Sequence, residues 1–402
     1  MALMPVADAL ASVLDGATPL PEEMVALDEA LHRVLARDIS ALRTQPPQPM
    51  SAMDGYAVRA ADATLGARLS VIGEVPAGRP FDRMLGAGEA VRIFTGGVVP
   101  DGADAVVIQE DTARDGQIVV INEDARTGRH IRAAGIDFSH GETLLPAGRK
   151  LTDRDLSLAA AMNHPALPVR RRPRVALLAT GDELVMPGTT LKPGQIVYSN
   201  GFALRALLRA EGADVADFGI AGDTLDETAG AIRKAHESGA DILLTTGGAS
   251  VGDHDVVKRA LEAEGTAIAF WQIALRPGKP MMHGRLGDMR VIGVPGNPVS
   301  SYMCTFLFAV PLVRALEGRS DVMHRRDAAV LGADLAANDK RQDYLRATLA
   351  PGEDGVPVAT PVGLQDSSLL KNLARAQALI LRPPFAEAAK AGERCTILHL
   401  PG

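Results

Sequence analysis

The sequence predicts a multidomain α/β fold. It has a central doubly wound, mostly parallel sheet, a β-rich inserted domain, a helical N-terminal and linker domain, and a small C-terminal β-barrel. Three observations predict it. The chain has 402 residues, against roughly 150 per domain in ordinary globular proteins. Strand-like and helix-like segments alternate over 174–320, the pattern of a parallel sheet with helices on both faces. Short apolar runs separated by Gly, Pro and Asp fill 46–140 and 326–402 instead.

The elements follow in order. Residues 1–45, with 141–173, read as the helical linker domain. Pro5 opens a helix whose apolar positions Val6, Leu10, Val13 and Leu14 keep helical spacing, and a second helix is predicted over 28–36. The β-rich domain over 46–140 carries AVRIF at 90–94, DAVVIQ at 104–109 and QIVVIN at 117–122. Thr152 is placed to cap a helix over 151–162, and the basic stretch PVRRRPR at 168–174 reads as a solvated joint. Strands are predicted at RVALLAT, at VADFGIA over 215–221, at DILLTT over 241–246 and at RVIGV over 290–294. Helices are predicted over 201–211, after a Thr224–Glu227 capping box, over 255–264, and from PGNP to Leu316. AAVLGA, YLRATL, VPVATP, ALILRP and CTILHL supply the strands of the last domain, 326–402.

Composition excludes several function classes. Lys and Arg total 42 against 49 Asp and Glu, so the formal charge is −7, which argues against nucleic acid or an anionic membrane as a partner. Aromatics at 3% do not supply a base-stacking surface. Two cysteines, Cys304 and Cys395, exclude a disulfide framework and a cysteine zinc cage, and fit a reducing cytoplasm. The longest apolar stretch, around Tyr302 to Val313, falls short of the ~18 residues of a membrane span and reads as a buried helix. The N-terminus lacks the basic start and apolar stretch of a signal peptide.

Ligands of an open α/β sheet bind beyond the carboxyl ends of its strands. Four loops fall there: TGDE at 180–183, GD at 222–223, TGGASVGDHD at 246–255 and PGNP at 295–298. Gly247, Gly248 and Gly252 let backbone amides approach an anion, and the next helix offers its positive end, which together favour phosphate. Asp182, Glu183, Asp223, Asp253 and Asp255 would repel that phosphate. A divalent cation between them resolves the conflict, and Mg²⁺ is expected because it binds through one or two carboxylates plus substrate phosphates. Helix capping is the other reading of these acids, Asp253 above all. LRPGKP at 275–280 adds Arg276 and Lys279, either an anion-holding pair or a plain surface turn. In the β-rich domain the Asp54–Gly55 turn presents an acid after Pro46, Pro47 and Pro49, and Thr95 sits on a tight glycine turn. His254 alone among the histidines lies in one of these loops, and reads as solvent-facing.

Taken in order, SAMDGYAVR, RIFTGG…PDGADAVV, GRHIRAAGIDF, LLATGDEL, YSNGFAL, TTGGASVGDHD, LRPGKP and GVPGNPVS closely resemble the molybdopterin molybdenumtransferases. This is the MoeA family, which includes the E domain of gephyrin, and the match runs from about residue 5 to the C-terminus. The resemblance implies a central domain of the molybdopterin-binding type. It implies that adenylylated molybdopterin and molybdate react to give molybdenum cofactor and AMP, with Mg²⁺ required. It also implies a homodimer whose site lies between the central domain of one subunit and the β-rich domain of the other.

Carried over residue by residue, the resemblance has Asp54 and Thr95 reaching the site from the partner subunit. Glu183, Asp223 and Asp255 hold Mg²⁺ or shape the pocket. Thr180, Gly181, Gly247, Gly248, Ser250 and Gly252 line the pterin-phosphate loops. Arg276, where many members carry Lys, meets molybdate or phosphate, and Lys279 follows it. Pro295 and Pro298 fix the last loop, and Arg346 and Ser367 join from the C-terminal domain. Two departures stand out: PPQPMSAMDG replaces the common PPFDNSAMDG, and Gln272 replaces a common Lys. Arginine at 276 offers planar bidentate binding where lysine offers a point charge. A molybdopterin adenylyltransferase-type activity, a non-catalytic gephyrin-like scaffold and tungstate in place of molybdate are the alternatives. Molybdopterin adenylyltransferase and molybdoenzyme maturation proteins are the partners that the family implies besides the second subunit.

Overall fold

The computed structural model describes residues 3–247 and 256–401. Its centre is a six-stranded sheet in the order Asp214–Ala221, Arg174–Thr180, Ile242–Thr246, Met289–Val294, Pro280–Leu286, Ala267–Gln272. The first four are mutually parallel, with Val175 opposite Val215 and Ile242, and Leu244 opposite Ile292. The last two add antiparallel at one edge. Alternation of strands and helices predicts the parallel part. The antiparallel edge pair was not foreseen, because its strands flank LRPGKP, which reads locally as a loop.

Both faces of this sheet are covered, as near-continuous apolar strands such as Arg174–Thr180 require. Helices Asn200–Ala210 and Pro298–Leu316 pack on one face, where Leu204, Leu208, Met303 and Leu312 share a core with Val175, Leu177 and Leu244. The N-terminal helix Val6–Leu14 joins that core through Val6, Ala9 and Val13. Helices Leu225–Glu237 and Val256–Ala263 cover the other face with Ile232, Ala235, Val257 and Leu261. Pro298–Leu316 has 19 residues of mean hydropathy 1.5, longer than the apolar stretch read from sequence, but 83% of its apolar window is buried inside the protein. It passes through a π turn over Thr305–Ala309 just before Pro311, which has no N–H to continue the ladder.

A second six-stranded sheet, in the order Ala105–Ile108, Gly55–Val58, Glu89–Ile93, Arg68–Val75, Ile118–Ile121, Thr112–Asp115, forms the β-rich part. Near the C-terminus, Gln342–Ala350, Val358–Pro361, Arg326–Leu331, Arg394–His399 and Ala378–Arg382 pair in sequence, and Ala378–Arg382 returns to Gln342–Ala350 to close a five-stranded barrel. Leu275–Arg276 adds to that barrel, opposite Gln342 and Asp343, so LRPGKP ties the central sheet to it.

Two expectations are corrected. Residues 28–36 do not form an α-helix. His32 has a left-handed φ of 63°, Leu27–Glu29 makes only a 3-10 turn, and Val34 and Leu35 instead bridge to Lys150 and Val169. Backbone pairing there outweighs the local helical pattern. The joint at 168–174 is not merely solvated: Ala166–Arg170 is a strand paired with Glu22–Ala26, Arg170 donates to the Leu20 carbonyl, and Arg171 grips Asp241 through two hydrogen bonds of 3.0 and 2.8 Å. Thr152 does cap helix Asp153–Ala161, with a reciprocal bond from its backbone to Asp155 at 2.9 Å. Thr224 caps Leu225–Glu237, but Glu227 turns its carboxylate to the Thr224 hydroxyl, at 2.7 Å.

Candidate active site

Four strand-end loops meet in one cleft of about 1020 Å³, whose lining includes Thr180, Glu183, Asp223, Thr246, Gly247 and Pro295 to Pro298. Glycine makes this close approach possible. At Gly247, with φ +94°, a Cβ would sit 2.4 Å from the Thr180 carbonyl oxygen, so only glycine lets the two strand ends touch. At Gly181, with φ +142°, a Cβ would fall 2.6 Å from a Glu183 carboxylate oxygen. Glu183 therefore folds back over its own turn.

The acids are arranged reciprocally. The Asp182 N–H donates to Asp223 Oδ2 and the Asp223 N–H donates to Asp182 Oδ1, each at 3.2 Å. This pair locks the loops after two neighbouring strands. It leaves Asp223 Oδ1 and the whole Glu183 carboxylate without a hydrogen-bond donor among the described residues. No cluster of three or more His, Cys, Asp or Glu among the described residues is placed to hold a metal ion on protein ligands alone. Gly248, Ser250, Gly252 and Asp255, the other members of the glycine-rich loop, lie outside the described residues, as do Asp253 and His254.

Asn200, at the start of helix Asn200–Ala210, was not singled out from sequence, yet it fastens the cleft. Its amide donates to Thr246 Oγ1 at 3.2 Å and to the Gly296 carbonyl at 2.7 Å. YSNGFAL carries this residue, and an Asn at a helix start facing two glycine-rich loops was the available signal. Leu184, Ile196, Val197 and Tyr198 form an apolar wall that the polar motifs gave no hint of. Burial pushes the Tyr198 hydroxyl up to about 12. Thr180 Oγ1 is buried with no hydrogen-bond partner among the described residues. Arg259, also unforeseen, lines the cleft from helix Val256–Ala263.

The barrel reaches the cleft through residues 362–368. Asn297 donates to Ser367 Oγ at 3.0 Å, the Val299 N–H donates to the Ser367 carbonyl at 3.0 Å, and Ser368 lines the cleft. Arg346 lies beneath this segment, fully buried, donating to the Asp366 carbonyl at 3.1 Å while Nε and Nη1 have no partner among the described residues. Burial draws its guanidinium below the usual arginine range. Gln365 ties the same segment down, accepting from the Arg346 N–H and donating to the Arg346 carbonyl, both at 3.0 Å.

Arg276, Lys279, Asp54 and Thr95 do not line the cleft of this chain. The Arg276 guanidinium is held by the barrel: Nε donates to Asp343 at 2.6 Å, Nη2 to Asp343 and Asn338, and Nη1 to Asp339 at 3.3 Å. Its charge is answered by two carboxylates rather than left open. Lys279 is exposed beside Pro280, which does line the cleft. Asp54 and Thr95 sit together in turns at the end of the β-rich sheet, beside strands Gly55–Val58 and Glu89–Ile93. Thr95 donates to Asp54 Oδ1 from its backbone at 2.7 Å and from its hydroxyl at 2.9 Å, and these bonds hold the Asp54 carboxyl below the usual carboxylate range.

Fold and cleft define a multidomain α/β protein with a cleft at the carboxyl ends of a doubly wound sheet, reached by a segment of a small barrel domain. Family models match along the chain: "MoeA N-terminal region (domain I and II)" over residues 4–163, "Probable molybdopterin binding domain" over 176–315, and "MoeA C-terminal region (domain IV)" over 328–400. The molybdopterin molybdenumtransferase of Haemophilus influenzae is 35% identical over 381 residues, 94% of each chain. Molybdopterin molybdenumtransferase 2 of Mycobacterium tuberculosis is 37% identical over 390 residues, again 94% of each. A crystal structure of the molybdopterin biosynthesis MoeA protein of Pyrococcus horikoshii superposes with a TM-score of 0.86 at 30% identity, covering 100% of both chains. The chain belongs to the MoeA family of molybdopterin molybdenumtransferases.

Proposed function

We propose that this chain is a transferase of molybdenum cofactor biosynthesis, inserting molybdenum from molybdate into adenylylated molybdopterin with release of AMP. One observation carries the reading: Thr180, Glu183, Asp223, Gly247 and the 295–298 loop converge in a single cleft, in a chain whose relatives of that name match 94% of its length.

Glu183 and Asp223 fit a Mg²⁺ that takes the rest of its ligands from phosphate, since both carboxylates line the cleft with oxygens free of protein donors. Bound there, the ion would supply Lewis-acid stabilisation of charge on phosphate oxygens. The chain's own residues orient the reactants. Asn200 holds the strand-end loops at fixed spacing, Ile196, Val197 and Leu184 offer an apolar wall, and Ser367 and Ser368 bring the barrel to the cleft. Molybdate is the incoming oxygen nucleophile in this reading, so no Cys or His nucleophile is needed.

Asp54 and Thr95 favour a site shared within a homodimer. They form an ordered, exposed carboxylate that does not line the strand-end cleft of its own chain, which suits a group offered to a second subunit. Two cysteines without a disulfide suit a cytoplasmic enzyme.

The test follows AMP release and product molybdenum content, starting from adenylylated molybdopterin with and without molybdate and Mg²⁺. Both quantities should rise only when molybdate is present. ATP consumption in the absence of molybdate would instead identify an adenylyltransferase.

A further inference from the structure

Helix Val256–Ala263 buries Val257, Ala260 and Leu261 in the core. Val256 and Arg259 stand three residues apart and so share another face, and both line the cleft. Lys258 does not share it; it pairs with Glu262 at 3.7 Å. Arg259 is exposed, and no ion pair or hydrogen bond engages it among the described residues. Other arginines of the central unit are answered: Arg205 by Asp217, Arg233 by Glu264 and Arg276 by Asp343.

The cleft's charge pattern gives this residue its meaning. Among the described lining residues, the charged side chains are Glu183, Asp223 and Arg259. Two acids and one uncompensated guanidinium suit a ligand that meets the acids through a cation and meets Arg259 directly. A guanidinium offers parallel N–H donors that match two oxygens of one phosphate.

We propose that Arg259 is a binding residue of the cleft, taking a ligand phosphate and making the site selective for phosphate-bearing over dephosphorylated ligands. This deepens the transferase reading and rests on it for the identity of the ligand. Neither the glycine-rich loop nor the neighbouring helix end is needed for it.

Calorimetric titration of the full chain with AMP, adenosine and inorganic pyrophosphate tests the assignment, using wild type, Arg259→Ala, Arg259→Lys and Arg259→Glu. Wild type should bind AMP more tightly than adenosine. Arg259→Ala should weaken AMP binding about tenfold, as loss of a hydrogen bond to a charged group does. It should leave adenosine binding and the melting temperature unchanged. Lysine should restore part of the affinity, and glutamate should lower it further. Equal AMP affinity in wild type and Arg259→Ala, or an equal loss for adenosine, overturns the inference and leaves the transferase reading intact. A wild type that binds neither AMP nor pyrophosphate overturns both. Arg259-dependent phosphate binding by a wild type inactive in the AMP-release assay supports the inference and overturns the reading beneath it.

Discussion

Thr95 holds one oxygen of Asp54, Oδ1, from two directions: its N–H lies at 2.7 Å and its hydroxyl at 2.9 Å. The second carboxylate oxygen is left for something outside the pair. The backbone bond is the larger cause of the lowered Asp54 pKa, and the hydroxyl is the second. Thr95→Val removes only the hydroxyl bond, so the Asp54 pKa rises part of the way toward its ordinary value. If ionised Asp54 is needed for turnover, the acid limb of the kcat/KM profile moves to higher pH while the plateau is kept. An unmoved acid limb would separate Asp54 from the chemistry.

A shared site predicts complementation. Asp54→Ala and Asp223→Ala chains should each be inactive as homodimers. Mixed and re-associated, they form some heterodimers with one intact site, and activity should return to about a quarter of wild type on statistical pairing. Titration of one variant into the other, followed by AMP release, reads this directly. No recovery despite verified heterodimers would place both residues in one chain's site.

Gly201 and Tyr198 touch without room to spare: a Cβ at Gly201 would lie 1.9 Å from the Tyr198 hydroxyl oxygen. Gly201→Ala therefore forces the ring off the cleft wall, an overpacking cost of roughly 1–3 kcal/mol. The variant should melt lower, and adding Tyr198→Ala should recover part of the loss. Thermal unfolding of both variants checks this. A Gly201→Ala chain as stable as wild type would contradict it.

Glu317 is buried at the end of helix Pro298–Leu316, with Oε2 unpartnered among the described residues. Arg319, Lys150 and Arg172 face it, together with a second acid, Glu211. Burial outweighs those cations and pushes the carboxyl up to about 7. Unfolded, the group ionises at a lower pH, so the unfolded state loses its proton first as pH rises. Glu317 thus costs stability progressively from about pH 4.5 to about pH 7, and in full above that. Glu317→Gln should be nearly neutral at pH 5 and more stable than wild type at pH 8. A stability difference independent of pH would show that the carboxyl is not buried neutral.

The strand–helix alternation of 174–320 was legible because each strand is a continuous apolar run and each helix has its own start signal, Thr224 among them. The converging loops were legible because glycine marks the turns and the acids mark the chemistry. What escaped was non-local. Val34 and Leu35 pair with residues more than a hundred positions away, which no local pattern records. Arg276 finds Asp343 sixty-seven residues on, so its lack of a free charge depends on the barrel docking beside LRPGKP. Arg259 became visible only once the buried face of its helix was known.

If the strand-end cleft is where the adenylyl link is broken, Asp223 is the residue whose loss reads that most simply. Single-turnover AMP release from adenylylated molybdopterin, with molybdate and Mg²⁺, compares wild type with an Asp223→Ala chain of unchanged melting temperature. The expected result is molybdate-dependent release by wild type and a loss of roughly 100-fold or more in the variant. Release by Asp223→Ala at the wild-type rate would contradict it.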